Sequence, residues 1–138
     1  MTFTVRRLDG ADVAIYREIR LEGLRTDPAS FGASLEEDTA VTDEGWRARL
    51  DKNPAYGVFD GEGLVGIAGY YVETGEKTKH RGHLVGVYVR QEARRTEAGR
   101  LLLEAVIASA RQNVTFLYLQ VTQDNARAVR FYERAGFT

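Results

Sequence analysis

Cysteine is absent from the 138 residues of this chain. Its absence removes thiolate nucleophiles, zinc–thiolate sites and disulfide frameworks together, and it agrees with a reducing cytoplasm. Histidine is scarce, with His80 and His83 the only imidazoles, so no metal site is expected. No apolar run approaches the roughly 18 residues of a membrane span, and the opening MTFTVRRLDG lacks the apolar stretch of a signal peptide. A cytoplasmic protein without a membrane partner is the expectation. A net charge of −1 likewise argues against a general nucleic-acid binder.

What is present suits one globular domain over residues 1–138. Hydrophobic residues make up 43% and charged residues 28%, on a chain long enough to close one core without staples. The charge is uneven: residues 1–72 carry 8 basic and 13 acidic side chains, and residues 73–138 carry 11 and 7. This points to an anionic ligand on the second half and a cationic one near the first, against the plainer reading of a scattered, solvated surface.

Hydrophobic spacing predicts alternating strands and helices. Phe3, Val5 and Leu8 open a strand, and Asp9 and Asp12 cap a helix carrying Val13, Tyr16, Ile19, Leu21 and Leu24. Thr26 to Gly32 reads as a loop, and Thr42-Asp43-Glu44 caps a helix with Trp46 and Leu50. Tyr56–Phe59 and Leu64–Val72 form a hairpin about the Asp60–Gly63 turn, and Glu73–Lys79 is a polar loop. The β-branched run Leu84–Val89 predicts a third long strand at the centre of the sheet. A helix from Gly99 to Arg111, a strand over Thr115–Val121, a helix over Ala126–Ala135 ending at Gly136, and a last strand opening at Phe137 complete the order.

Two stretches carry chemistry. In Val87-Tyr88-Val89-Arg90-Gln91-Glu92-Ala93-Arg94-Arg95-Thr96-Glu97-Ala98-Gly99-Arg100, a strand leads through a tight loop into a helix, where unpaired N–H groups and the helix dipole favour an anion. Arg90, Arg94, Arg95 and Arg100 add donors suited to a diphosphate, although an arginine-rich solvated helix start would look the same. The second stretch reads Asn125-x-x-Ala128-x-x-Phe131-Tyr132-x-x-x-Gly136-Phe137. It resembles the C-terminal motif of the GCN5-related N-acetyltransferase (GNAT) family. The order of elements is similar from residue 3 onward, Val87–Leu102 is similar to that family's pyrophosphate-binding motif, and Leu24–Glu37 resembles the substrate-side loop of many small bacterial members.

The resemblance implies an α+β (layered α/β) acyl-CoA N-acyltransferase fold, a mixed, mostly antiparallel sheet flanked by helices. It implies acetyl-CoA as co-substrate and no metal. Val87 and Val89 would offer main-chain contacts to the pantetheine arm as in strand addition. Arg94, Arg95, Thr96, Glu97, Ala98, Gly99 and Arg100 would hold the pyrophosphate, and Asn125 would touch the far side of the arm. The acceptor would be a primary amine of a small molecule, or of a peptide, attacking the thioester directly. Tyr132 would serve as general acid at the leaving sulfur, since a phenol with a pKa of about 10 keeps its proton at pH 7. His83 is the first candidate for the base and Glu73 the second, although both histidines also suit a plain polar strand end. Tyr70, Tyr71 and Phe31 are candidates for an acceptor pocket or for the core, and Phe131 for the core.

Two departures from the family pattern stand out. The loop usually reads Arg/Gln-x-x-Gly-x-Gly/Ala; here Glu97 takes the place of the first glycine, and Arg95 stands where another is common. A side chain at 97 would crowd the phosphates and a carboxylate would repel them, with Arg95 compensating by pairing with Glu97 or with phosphate, so cofactor binding is expected to be weakened, not abolished. This favours, as the alternative, a non-catalytic acyl-CoA-binding domain with a degenerate loop. The family also closes its sheet with two more C-terminal strands, whereas this sequence stops at Thr138. An uncovered edge would let two copies pair as a homodimer or recruit another partner.

Overall fold

The computed structural model describes residues 2–28, 31, 34–121 and 124–138. Strand β1 (Phe3–Arg7) leads through a 3-10 turn, Gly10–Asp12, into α1 (Val13–Thr26). Short α2 (Leu35–Thr39) and α3 (Asp43–Lys52) precede the hairpin of β2 (Ala55–Asp60) and β3 (Gly63–Val72). Then follow β4 (Arg81–Val89), a further 3-10 turn at Gln91–Ala93, α4 (Ala98–Arg111), β5 (Phe116–Tyr118) and α5 (Ala126–Arg134). The strands lie in the order β1-β2-β3-β4-β5. The first three pairings are antiparallel, and β5 lies parallel to β4. None of the described helices is long and apolar enough to cross a membrane.

Local chemistry sets these boundaries. Asp9 caps the first 3-10 turn in a reciprocal capping box with Asp12, and the Arg6 guanidinium grips both Asp12 oxygens at 2.8 Å. That grip is the main reason the Asp12 carboxyl stays below its ordinary pKa. Thr42 caps α3 by accepting from the Gly45 N–H, as its sequence position predicts. The chain ends α5 with Gly136 at a φ of +106°.

The sheet divides two apolar layers. On one face Leu8, Ile19, Trp46, Leu50, Ile67 and Tyr88 pack with α1 and α3. On the other, Leu102, Leu103 and Val106 of α4 cover Val58, Val65 and Leu84, each burial worth about 1.5–3 kcal/mol. Val87, Val89, Phe131, Tyr132 and Phe137 border this second layer.

Four expectations need correction. β4 is not the centre of the sheet but the fourth of five strands. β5 is three residues long instead of seven, because it accompanies β4 only from Arg81 to His83. Phe137 opens no strand. Within the stretch read as a substrate-side loop, Leu35–Thr39 is a helical turn capped by Ser34. Ala29, Ser30, Gly32 and Ala33 of that stretch lie outside the described residues.

Candidate active site

The site begins as an irregularity between β3 and β4. Ile67 lies opposite Tyr88 and Gly69 opposite Val85, so Ala68 faces both Gly86 and Val87. This is a bulge with the extra residue on β4. Gly86 adopts a φ of +63° there, a left-handed conformation that glycine takes without steric cost. A Cβ at Gly86 would stand 3.2 Å from Arg20 Nη1. Beyond His83, β4 and β5 part, and the outer edge of β4 has no neighbouring strand among the described residues. The Arg90 N–H donates to the Val65 carbonyl at 2.8 Å, so strand alternation turns the main chain of Val89 and Val87 away from β3, toward that open edge. Arg94 Nε already reaches the Val89 carbonyl at 2.9 Å.

At the end of β4 the chain enters α4, whose first turn offers N–H groups to an anion. Thr96 organises the turn: its hydroxyl donates to the Ala93 carbonyl and accepts from the Ala98 N–H. Glu97 has an ordinary helical φ of −76°, so its backbone needs no glycine. Its carboxylate pairs with Arg100 at 2.7 Å, not with Arg95 as the sequence suggested. Arg100 is also held by Glu104 at 2.8 Å, and Arg90 is engaged by Glu22 and Glu18. Among the described residues Arg95 has no carboxylate partner, and it is the one non-glycine residue with a positive φ, at +66°. Gly99 lets Phe131 of α5 approach, since a Cβ there would lie 3.3 Å from the ring.

Of the two departures, only Arg95 takes a backbone conformation that favours glycine. A left-handed L-residue costs about 1–2 kcal/mol, partly offset because arginine restrains the unfolded chain more than glycine does. Arg95→Gly is expected to stabilise the fold by about 0.5–1 kcal/mol. The Tm would rise by about 2–4 °C. The same change removes the unpartnered cation, so CoA affinity, read by calorimetry, is expected to fall.

α5 packs beside the start of α4, with Phe131 against Gly99. Asn125 caps it by accepting from the Ala128 N–H at 3.3 Å. Tyr132 packs edge-on between Phe131 and Phe137, with ring centroids 5.2 and 6.0 Å away. Burial, with a contribution from the Asp27 charge, pushes its phenol up to about 12.

On the opposite side of the bulge lies a cavity of about 210 Å³, lined by α1, α3, β3 and β4. Gly86, Val85 and Tyr71 form part of its wall, with Arg20 and Arg49 beside them. Asp38, with no exposure, accepts from Arg20 Nε at 2.6 Å and from Arg49 Nη1 at 3.1 Å. Burial alone would weaken the hold of Arg20 on its proton, but Tyr16 and Asp38 outweigh it and raise its pKa. Near the cavity, His83 stacks on Tyr71 at 4.9 Å and its Nε2 meets Glu73 Oε2 at 2.8 Å. That bond is the chief reason Glu73 ionises more readily than an ordinary glutamate.

The profile of the acetyltransferase (GNAT) family matches residues 17–137, spanning the bulge, the α4 turn and Tyr132. The chain belongs to the GNAT family. Its fold is similar to that of a putative acetyltransferase from Salmonella typhimurium solved with its cofactor acetyl-CoA, at TM-score 0.82 and 21% identity, covering 100% of this chain and 80% of that one. It is also similar to ribosomal-protein-alanine N-acetyltransferase from Brucella melitensis, at TM-score 0.76 and 26% identity, covering 98% and 84% of the two chains. A third similar structure is an aminoglycoside acetyltransferase from an uncultured soil metagenomic sample, in complex with sisomicin (TM-score 0.76, 15% identity, coverage 98% and 88%). Among curated proteins no match is found.

Within this GNAT fold the sequence-derived candidates fall into three groups. Val87, Val89 and the Arg94–Arg100 turn share the open β4 edge and its continuation into α4. His83 and Glu73, weighed as rival bases, are hydrogen-bonded partners. Of the acceptor-pocket candidates, Tyr71 faces the cavity. Tyr70, 1% exposed, sends its hydroxyl to Ser109 and Asn113 near the end of α4, and Phe31 packs against the first core layer. Arg20, Asp38 and Arg49 escaped notice. Their signal was an arginine inside an apolar stripe: Tyr16, Ile19, Arg20 and Leu24 share one helical spacing, and Trp46, Arg49 and Leu50 another.

Proposed function

We propose that this GNAT domain is an acetyl-CoA-dependent N-acetyltransferase that acetylates a primary amine of a small molecule by direct attack. The observation that carries this reading is the bulged, parted edge of β4, which leaves the Val87 and Val89 main chain open beside the first turn of α4. An extended pantetheine arm is the ligand such an edge accepts, and the α4 turn with Arg95 suits its pyrophosphate. The acetyl-CoA-bound Salmonella neighbour has the same fold.

When bound, acetyl-CoA supplies an activated acyl carbonyl. Main-chain N–H groups at the bulge would donate to the carbonyl oxygen as it gains charge. Tyr132 brings a protonated phenol to the departing sulfur. His83, oriented by Glu73, accepts the proton of the amine through water. An amine with a pKa near 10.4 is almost fully protonated at pH 7, so a base is required. Asn125 contributes by fixing the start of α5, and so the placement of Tyr132.

Calorimetric titration with acetyl-CoA and CoA, followed by an amine screen monitored through thiol release, tests the reading. Tyr132→Phe is expected to lower kcat by about 10²-fold with CoA affinity unchanged. Binding without transfer to any amine would support the non-catalytic alternative. Against that alternative, Glu97 is helical and paired with Arg100.

A further inference from the structure

The acceptor-side cavity has a charge that the composition of the first half does not suggest. Acidic residues outnumber basic ones there, yet four of the carboxylates are drawn into ion pairs: Asp12 with Arg6, Asp38 with Arg20 and Arg49, and Glu18 and Glu22 with Arg90. Among the described residues, two guanidinium groups line the cavity and no carboxylate does. None of the residues outside the described set has an acidic side chain. Asp38 is fully buried behind the arginines and serves both, so the pair retains one uncompensated positive charge. Both guanidinium groups rest on the Trp46 ring, 5.9 Å from its centroid for Arg20 and 4.9 Å for Arg49. Such stacking and shared anchoring hold the two forks in place before a ligand arrives.

We infer that the acceptor carries an anionic group, a carboxylate or a phosphate, close to its reactive amine, and that Arg20 and Arg49 bind this group. The inference rests on the reading of the cavity as the acceptor side of an acetyltransferase. Its argument is the match between two pre-held forks and a planar or tetrahedral oxyanion. Placement agrees with it, since Arg20 Nη1 lies 3.2 Å from the Cβ position of Gly86, which brings the anion within a few bonds of the bulge. Size agrees as well. A cavity of about 210 Å³ has room for an amino-acid-sized molecule.

The test has two arms. In the first, thiol release is followed with α-amino acids, each beside its own amide, and with phosphoethanolamine beside ethanolamine. The acid-bearing member of a pair is expected to have a kcat/KM at least about tenfold higher, the worth of one charge-assisted contact. Because an amide lowers the pKa of its amine, intrinsic reactivity runs the other way. Preference for amino acids assigns the anion as carboxylate, and preference for phosphoethanolamine assigns it as phosphate. Arg49→Gln should bring the ratio to about one, and Arg49→Lys, which keeps the charge without the fork, should leave an intermediate value. Equal use of both members, or a ratio that survives Arg49→Gln, overturns the inference.

The second arm needs no turnover. Trp46 is the only tryptophan in the chain and touches both arginines, so its fluorescence reports occupancy. Glutarate and inorganic phosphate are titrated beside the diamide of glutarate. A saturable change with an anion alone, lost in Arg49→Gln, upholds the inference even if no amine is acetylated and the catalytic reading fails. No anion-specific change overturns it even if acetylation of neutral amines succeeds.

Discussion

Gly86→Val is expected to reduce acetyl transfer about 10³-fold, with a smaller loss of CoA affinity, as measured by thiol release and calorimetry on the same preparations. Two features of the bulge lead there. A φ of +63° is a true outlier for a β-branched residue. The new side chain would also start 3.2 Å from Arg20 Nη1 and 3.7 Å from the Phe31 ring. The strand escapes both problems only by removing the bulge or rotating it, and either movement re-aims the N–H groups that would meet the acyl oxygen. Gly86→Asn is the control, because asparagine tolerates the left-handed region; it should keep more activity than valine. A fold that melts normally and still transfers acetyl at the original rate after Gly86→Val would show that the bulge has no part in the chemistry.

Asp38→Ala is expected to destabilise the fold by about 3 kcal/mol, at the low end for a broken buried ion pair. The Tm should fall by about 10 °C. Arg20 is the reason for the size of the effect, and Arg49 the reason it is not larger. The Arg20 side chain is 15% exposed and cannot turn to water, whereas that of Arg49 is 44% exposed and can. Asp38→Asn keeps an acceptor oxygen for Arg20 and should lose roughly half as much. Thermal melts of the two variants beside Arg49→Gln separate the contributions. If Asp38→Ala melts with the parent, the arginines are held by stacking on Trp46 alone.

The sequence was most legible where one element carries both pattern and function. The motif from Asn125 to Phe137 held its cap, its helix and its glycine stop in order, and α4 showed its apolar stripe. Legibility failed where function depends on how two elements meet. Leu84-Val85-Gly86-Val87-Tyr88-Val89 reads as one regular strand, and only its pairing with Ala68 shows that Gly86 is an extra residue. A glycine inside an otherwise β-branched run was the available hint. Likewise, Phe116–Tyr118 continues into residues of equal strand character, and their departure from β4 follows from the third dimension. Ser34 and Glu37, spaced as a capping box, could have located α2. The uneven charge of the first half is hard to read for a related reason: net charge counts side chains without counting which of them neutralise one another.

If Tyr132 meets the leaving sulfur as proposed, its environment sets how protons would be counted in the reaction. A phenol near 12 facing a thiol of ordinary pKa, about 8.5, lies roughly 3.5 units on the wrong side, so complete transfer would be uphill by about 5 kcal/mol. In the proposed reaction Tyr132 would therefore keep its hydrogen, lending it to the sulfur only as a hydrogen bond, and the departing thiolate would draw its proton from bulk water afterwards. On that reading the side chain proposed as an acid would act, in its pocket, as a fixed dipole. It would leave the cycle in the state in which it entered, with no reprotonation step to slow turnover.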